Sequence, residues 1–322
     1  MKLPRRTFLL GAAALPAASR MAWSQAYPSR PVRIIVGFPP GGATDIQARL
    51  MGQWLSDRLG QQFIVENRSG ASGNIGTEAV ARSAPDGYTL LQIVTPHAIN
   101  AALYSNLSFD FMRDIAPVVC SARLGYVVVV HPSVPVKTIP EFIAYAKANP
   151  GKINYGSAGP GTPQNIACEL FKMMAGVDLV HVPYRGGAPA IQDMVAGNVQ
   201  MMFGNLPEFL GQISAGNLIP IAFGGASRAP QFASVPLMSQ WLPGYRVDNW
   251  FAVFGPRNMP ANIVDLWNKA LRAALAKPDL QKRYADNAME VVTGSPADLK
   301  ATIAADRKKW QEIIQAVGMK NE

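Results

Sequence analysis

The sequence predicts an α/β fold, with mostly parallel sheets flanked by helices, and three observations carry that expectation. Val32 to Val36 is a β-branched run without the polar alternation of a half-solvated strand, which suits the interior of a sheet covered on both faces. A proline-glycine loop and an amphipathic helix follow it, and the same strand, glycine loop, helix order recurs from 153 and again from 179. The length of 322 residues, 49% of them hydrophobic, is enough for two compact lobes with real cores.

Met1 to Ala26 reads as an export leader, with basic Lys2, Arg5 and Arg6, an apolar core from Phe8 to Ala18 and a small-x-small end at Ser24-Gln25-Ala26. Arg5-Arg6-Thr7-Phe8-Leu9-Leu10 resembles a twin-arginine signal, with Pro4 where Ser or Thr is usual. Cleavage near Ala26 predicts a periplasmic product that starts at Tyr27. No stretch approaches the roughly 20 apolar residues that a membrane span needs. The formal charge of +9 falls to +5 without the leader's four cations, and no basic cluster suggests nucleic acid.

After the first strand, Pro39-Pro40-Gly41-Gly42 can continue neither a strand nor a regular helix. Thr44 is the expected N-cap of the helix that follows, with Gln47 completing a capping box. Ile46, Leu50, Met51, Trp54, Leu55 and Leu59 mark its apolar face, and Gly60 ends it. Such a loop aims free N–H groups and the positive end of a helix into a crevice, which makes an anion site. The phosphate-cradle patterns GxxxxGK[ST] and GxGxxG are absent from it.

Further along, Phe63 to Glu66 and Thr89 to Val94 are expected strands, separated by the loop Gly70 to Asn74 and a helix through Arg82. Thr95 to Asn100 then lies at the sheet edge, where His97 is a candidate wall residue. Ala116 to Cys120 and Tyr126 to Val130 read as strands crossing between lobes. A helix over 139–148 precedes the strand Ile153 to Tyr155 and a second glycine loop, Gly156 to Gly161. There Thr162 can cap and Pro163 fits the first helical position. Leu179 to Val182, a helix over 188–196 and the strand Gln200 to Phe203 complete this half. Asp248 to Gly255 returns the chain to the first lobe, and Pro260 begins a helix to about Leu275. Ser295 opens a last long helix whose Leu299, Ile303, Trp310, Ile313 and Ile314 can dock across both lobes.

No catalytic motif emerges. Gly156-Ser157-Ala158-Gly159 falls short of GxSxG because residue 155 is Tyr, and Asp45 is as well explained by the helix dipole as by acid-base work. His97, His131 and His181 lie in separate elements without ligand spacing, so no metal and no cofactor is expected. Cys120 on a strand and Cys168 on a helix are expected as two buried thiols rather than a disulfide.

The order PxRPVRxIVxFPPGGxTDxxAR from Pro28 to Arg49 is specific, and with it the sequence resembles the substrate-binding receptors of tripartite tricarboxylate transporters, the Bug (Bordetella uptake gene) family. The resemblance extends through ENRSGASGNIGTEAVARSAPDGYTLL at 66–91, HPSVPVKTIPEFIAYAKANPGKINYGSAGPGT at 131–162 and HVPYRGGAPAIQDMVAGNVQMMF at 181–203. It implies a two-lobed periplasmic-binding-protein fold of type II, with lobe 1 from 27–128 and 251–322, lobe 2 from 129–250, and a cleft between them. It also implies a monomeric receptor that holds a small organic carboxylate and passes it to membrane transporter subunits. A periplasmic sensor for a kinase is the alternative, and a periplasmic enzyme the third.

Carried onto this chain, the resemblance implies that the carboxylate is held by two loops, one from each lobe, partly through ordered water. The first supplies Phe38, Pro40, Gly41, Gly42, Thr44 and Asp45, the last facing the distal part of the ligand. The second supplies Ser157, Ala158, Gly159, Thr162 and Pro163, with hydroxyls and loop amides as donors. His97, Tyr184 and Asn205 complete the expected set, with Gly186 a lesser candidate, and Arg185 stands equally as a contact or as a surface ion pair.

Overall fold

In the computed structural model, which describes residues 27–95, 107–225, 228–287 and 289–318, β1 (Val32–Val36) is the centre of a parallel trio. It leads through α1 (Ala43–Leu59) to β2 (Phe63–Asn67), and through α2 (Asn74–Ala81) to β3 (Thr89–Val94). Both strands pair with β1 in parallel. The unbroken apolar run of β1 is explained by its position, because Val32, Ile34, Ile35 and Val36 are all buried between layers.

On α1, Met51 and Leu55 are buried outright, a gain of about 1.5–3 kcal/mol each. Ile46, Leu50 and Trp54 pack against the same core, and Leu59 is exposed. Gly60 closes the helix at φ +67°, and its amide bonds the Ser56 carbonyl, as the sequence predicts.

After the short α3 (Phe111–Asp114), β4 (Ile115–Val130) is one strand of 16 residues. The sequence shows it as two, because register shifts at Pro117/Val119 and Cys120/Ala122 interrupt its pattern. Residues 115–125 pair antiparallel with a later strand of the first sheet, and 126–130 belong to the second sheet.

The second sheet is built by α4 (Ile139–Ala148), β5 (Asn154–Ser157), α5 (Pro163–Ala175), β6 (Val180–Pro183), α6 (Gly187–Val195), β7 (Met201–Asn205), α7 (Leu206–Ser214) and β8 (Ile219–Phe223). β5 pairs in parallel with β6 and β7, while β7 and β8 run antiparallel to β4. β9 (Asp248–Pro256) then returns to the first sheet between β3 and β4.

The sheets are therefore mixed, with parallel strands around β1 and β5 and antiparallel pairing where β4 and β9 cross. At the crossing a Cβ on Gly225 would stand 2.5 Å from the Cα of Gly125, so the two backbones touch. α8 (Ala261–Leu275), α9 (Pro278–Asp286) and the short β10 (Glu290–Val291) finish the first lobe.

The last helix, α10 (Pro296–Val317), straps the lobes together. Leu299 and Ile303 pack with Trp250 and Phe254 of the first lobe, and Trp310 and Ile314 with Phe171 and Tyr245 of the second. Cys120 and Cys168 are buried and free, as expected. No helix among the described residues is long and apolar enough to cross a membrane.

Candidate functional site

The loops after β1 and β5 meet face to face across the cleft, and the lobes touch at several points. The Ser72 hydroxyl donates to the Pro160 carbonyl at 2.9 Å, the Asn249 amide to Asn205 Oδ1 at 2.8 Å, and the Ala43 N–H to Glu208 Oε1 at 3.1 Å. Two chambers lie between these contacts, with Phe38 and Ala158 in the walls of both. The inner one holds only about 30 Å³, room for a water or two and well short of a small-molecule site, so the lobes must part to admit a ligand. The outer one is bounded by Gly70 to Gly73 on one side and Gly159, Pro160, Tyr184 and Arg185 on the other.

Four helices begin at the inner chamber. Gly42, Ala43 and Thr44 bring the start of α1, Thr162, Pro163 and Gln164 that of α5, Gly187 that of α6, and Asn205 and Glu208 that of α7. First-turn amides have no partner within their own helix and carry the positive end of its dipole. Among the described residues, none lining this chamber is Lys or Arg. Positive potential reaches it through backbone alone.

The details of the first loop differ from the expected capping box. Gly42, in extended conformation, is the N-cap of α1 and has no side chain to cap it, so among the described residues the side-chain bond at the first amide, that of Ala43, comes from Glu208. Thr44 is one position further in, lining the chamber. Gln47 turns inward instead, donating to Ser121 Oγ at 3.1 Å and accepting from Gln92.

Asp45 does not face the ligand space. It accepts from Gly41 N at 3.0 Å, Arg49 Nε at 2.9 Å and Asn67 Nδ2 at 3.0 Å, clamping the loop from behind. Burial alone would raise its pKa, but the bonds from Arg49, Gly41 and Asn67 hold it below the usual carboxylate range. Pro40 and Gly41 likewise line neither chamber.

The second loop spends its donors on itself. The Ser157 hydroxyl donates to Gly159 O at 3.1 Å, accepts from Gly159 N and meets His181 Nε2 at 2.7 Å, and the side chain is fully buried. Thr162 Oγ1 donates to Gly159 O at 2.6 Å, Ala158 N to Gln164 Oε1 and Gly161 N to Asn165 Oδ1. Ser157, Thr162 and the loop amides thus shape the site instead of supplying its donors. Pro163 has no amide, so at this helix the first amide at the chamber is that of Gln164, with Asn165 next in the same turn. His181 stacks on Tyr155 with centroids 4.8 Å apart, and burial pushes its pKa down to about 4.

Of the other expected residues, Asn205 lines the inner chamber, donating to Glu208 Oε1 at 3.0 Å and accepting from Asn249. Tyr184 lines the outer chamber, its hydroxyl bonded to Asp193 at 2.6 Å. Arg185 is exposed at the same chamber and makes no ion pair among the described residues. His97 lies outside the described residues. The sequence reading missed Glu208, Gln164, Gly187, Tyr126 and the Gly70 to Gly73 loop. For Glu208 a signal was available, since Gly204-Asn205-Leu206-Pro207-Glu208 repeats the strand, small-residue loop, helix order of the first two loops. The pKa of Glu208 is raised, because its burial outweighs the donors Asn205 and Ala43 that favour the carboxylate form.

A model of the tripartite tricarboxylate transporter family receptors matches residues 47–319. The chain belongs to that family. Among its relatives is Protein BugT of Bordetella pertussis, 33% identical over 297 residues, 91% of each chain. Among solved structures, the R. palustris protein Rpa4515 with adipate superposes at TM-score 0.90, with 34% identity over 92% of this chain and all of the other. MatC from Rhodopseudomonas palustris with bound malate gives 0.84, with 29% identity over 89% of this chain and all of the other. The two-lobed binding-protein architecture is thus the family's, and the receptors of this family bind solutes.

Proposed function

We propose that this chain is a periplasmic receptor that captures a small carboxylated organic acid between its lobes and delivers it to a tripartite tricarboxylate-type membrane transporter. One observation carries the reading: four helix N-termini converge on a chamber that, among the described residues, no Lys or Arg lines. Neutral donors compensate a carboxylate without the desolvation cost of burying a cation opposite it. In this reading the N–H groups of Thr44, Gln164 and Asn165 hold the carboxylate, and Phe38 and Ala158 flank the carbon chain. The relatives with adipate and malate support a carboxylate as the ligand class.

Closure about the crossing strands buries the ligand, and we place the exchange between lobes near Gly125 and Asp248, a few residues before the 128/129 and 250/251 boundaries expected from the sequence. The leader from Met1 to Ala26 accounts for export. Tyr27, where the mature chain then begins, is seated in lobe 1 by its bonds to Trp267 and Asp86.

A thermal-shift screen of small organic acids tests this. At about 100 times its dissociation constant a bound acid adds roughly 2.7 kcal/mol of stability, several degrees for a chain of this size. A hit is expected among carboxylates, with its fully amidated analogue silent, because an amide brings donors to a site made of donors. A screen that responds to cationic or neutral solutes and to no carboxylate overturns the reading.

A further inference from the structure

The inner chamber already contains one carboxylate of the protein's own. Glu208 sits in the first turn of α7, 165 residues along the chain from Ala43, yet its Oε1 takes the first amide of α1 together with the Asn205 side chain. Oε2 is shielded from solvent and has no hydrogen-bond partner among the described residues. A Cβ at Gly187 would stand 2.8 Å from Oε2, and one at Gly42 4.0 Å from Oε1. The carboxylate is thus wedged between the starting ends of α1 and α6, where an anion from outside would otherwise find donors.

Charge counting gives the consequence. Each helix N-terminus carries about half a positive charge, so four contribute about two units. Glu208 uses one and a single ligand carboxylate the other. A second carboxylate on the ligand leaves the chamber with an uncompensated negative charge at low dielectric. Arg185 does not restore the balance, since it is exposed and at the outer chamber, where ion pairs are weak.

Resting on the receptor reading above, we propose that Glu208 takes the place of one of the carboxylates a dianionic ligand would bring, so that this cleft selects a small acid with one carboxylate and an uncharged remainder. Glu208 is then the residue that sets specificity, while the α1 and α5 amides set affinity for the carboxylate itself.

The test is isothermal titration of the mature protein with matched series: succinate, glutarate, adipate and malate against the monoamide of each. The unmodified chain, Glu208→Gln and Glu208→Ser are compared. The unmodified chain is expected to bind the best monoamide about tenfold or more tighter than its diacid, the penalty of one extra like charge in a poorly screened site. In Glu208→Gln and Glu208→Ser that ratio should fall to near one or invert. The preference of the unmodified chain is read without any variant, so a variant that fails to fold does not remove the test. A diacid preferred by the unmodified chain, or a ratio unchanged in both variants, overturns the proposal while leaving the receptor reading intact. If that diacid preference vanishes in Arg185→Ala, the second carboxylate lies at the outer chamber and the proposal falls for that reason. Binding of neither series overturns the receptor reading, and this inference with it.

Discussion

Replacing Gly186 with alanine is expected to hold the two lobes apart. Gly186 precedes α6 at φ +146° and ψ 170°, and a Cβ built there would lie 2.5 Å from Cδ and 2.7 Å from Cγ of Pro39, which belongs to the other lobe. Ordinary contact begins near 3.4 Å, so the loops must part by about 1 Å for the methyl group to fit. Two effects separate cleanly. The backbone conformation is one that L-residues avoid, which costs on the order of 1–3 kcal/mol in the open and the closed form alike. The clash with Pro39 exists only in the closed form. At the roughly 1–3 kcal/mol typical of overpacking, it should weaken ligand binding roughly 5- to 150-fold. Urea denaturation reads the first effect, and calorimetric titration with solution scattering reads the second. Adding Pro39→Gly removes the ring but not the strain, so the double variant should regain affinity and compactness while staying less stable. Full affinity and full compaction in Gly186→Ala alone would refute the argument that the Pro39 contact limits closure.

Two further outcomes follow from the titratable groups around the loops. Burial holds the His181 pKa near 4 against an ordinary 6.5, so between those values the unfolded chain binds a proton that the folded chain does not. Stability should therefore fall as pH drops from about 6.5 toward about 4, and His181→Gln should flatten that fall in urea midpoints; parallel falls in both proteins would exonerate His181. Asp45→Asn places an amide where three donors converge, and should lower stability by about 1–3 kcal/mol with weaker ligand binding, read by the same denaturation and titration. An unchanged midpoint would mean that Arg49 and Asn67 hold the loop without it.

What the sequence made legible is what is local. β1, its loop, the Gly60 stop and the Pro163 start depend on neighbours within a few residues, and each formed as its residue types require. The strand pattern failed where tertiary pairing reshaped it, because register shifts in β4 at Pro117/Val119 and Cys120/Ala122 hide one 16-residue crossing strand behind two short ones. The site was legible to the extent that it is made of loops followed by helices. Gly186 and Asn205 were named through the family resemblance, but Gly187 and Glu208 beside them were missed, because Glu208 joins the site through a contact with Ala43 that no sequence window spans.

The same capping signal, met twice with different results, shows why. At Ser295 the box forms, with Ser295 Oγ accepting from Asp298 N at 3.2 Å and Asp298 Oδ2 from Ser295 N at 2.8 Å, because that helix starts on an exposed surface with no competing partners. At Thr44 the residue types are equally suitable, yet Gln47 finds buried partners in Ser121 and Gln92. The first amide of α1 is meanwhile taken by a carboxylate from the other lobe. A helix start that caps itself has fewer amides to offer. The failure of the local rule at Thr44 is therefore what leaves the start of α1 open to the cleft, and a binding protein whose donors are backbone amides requires that failure at each helix it uses. The α5 start agrees, since Thr162 is in the N-cap position but gives its hydroxyl to Gly159 and leaves the Gln164 and Asn165 amides uncapped.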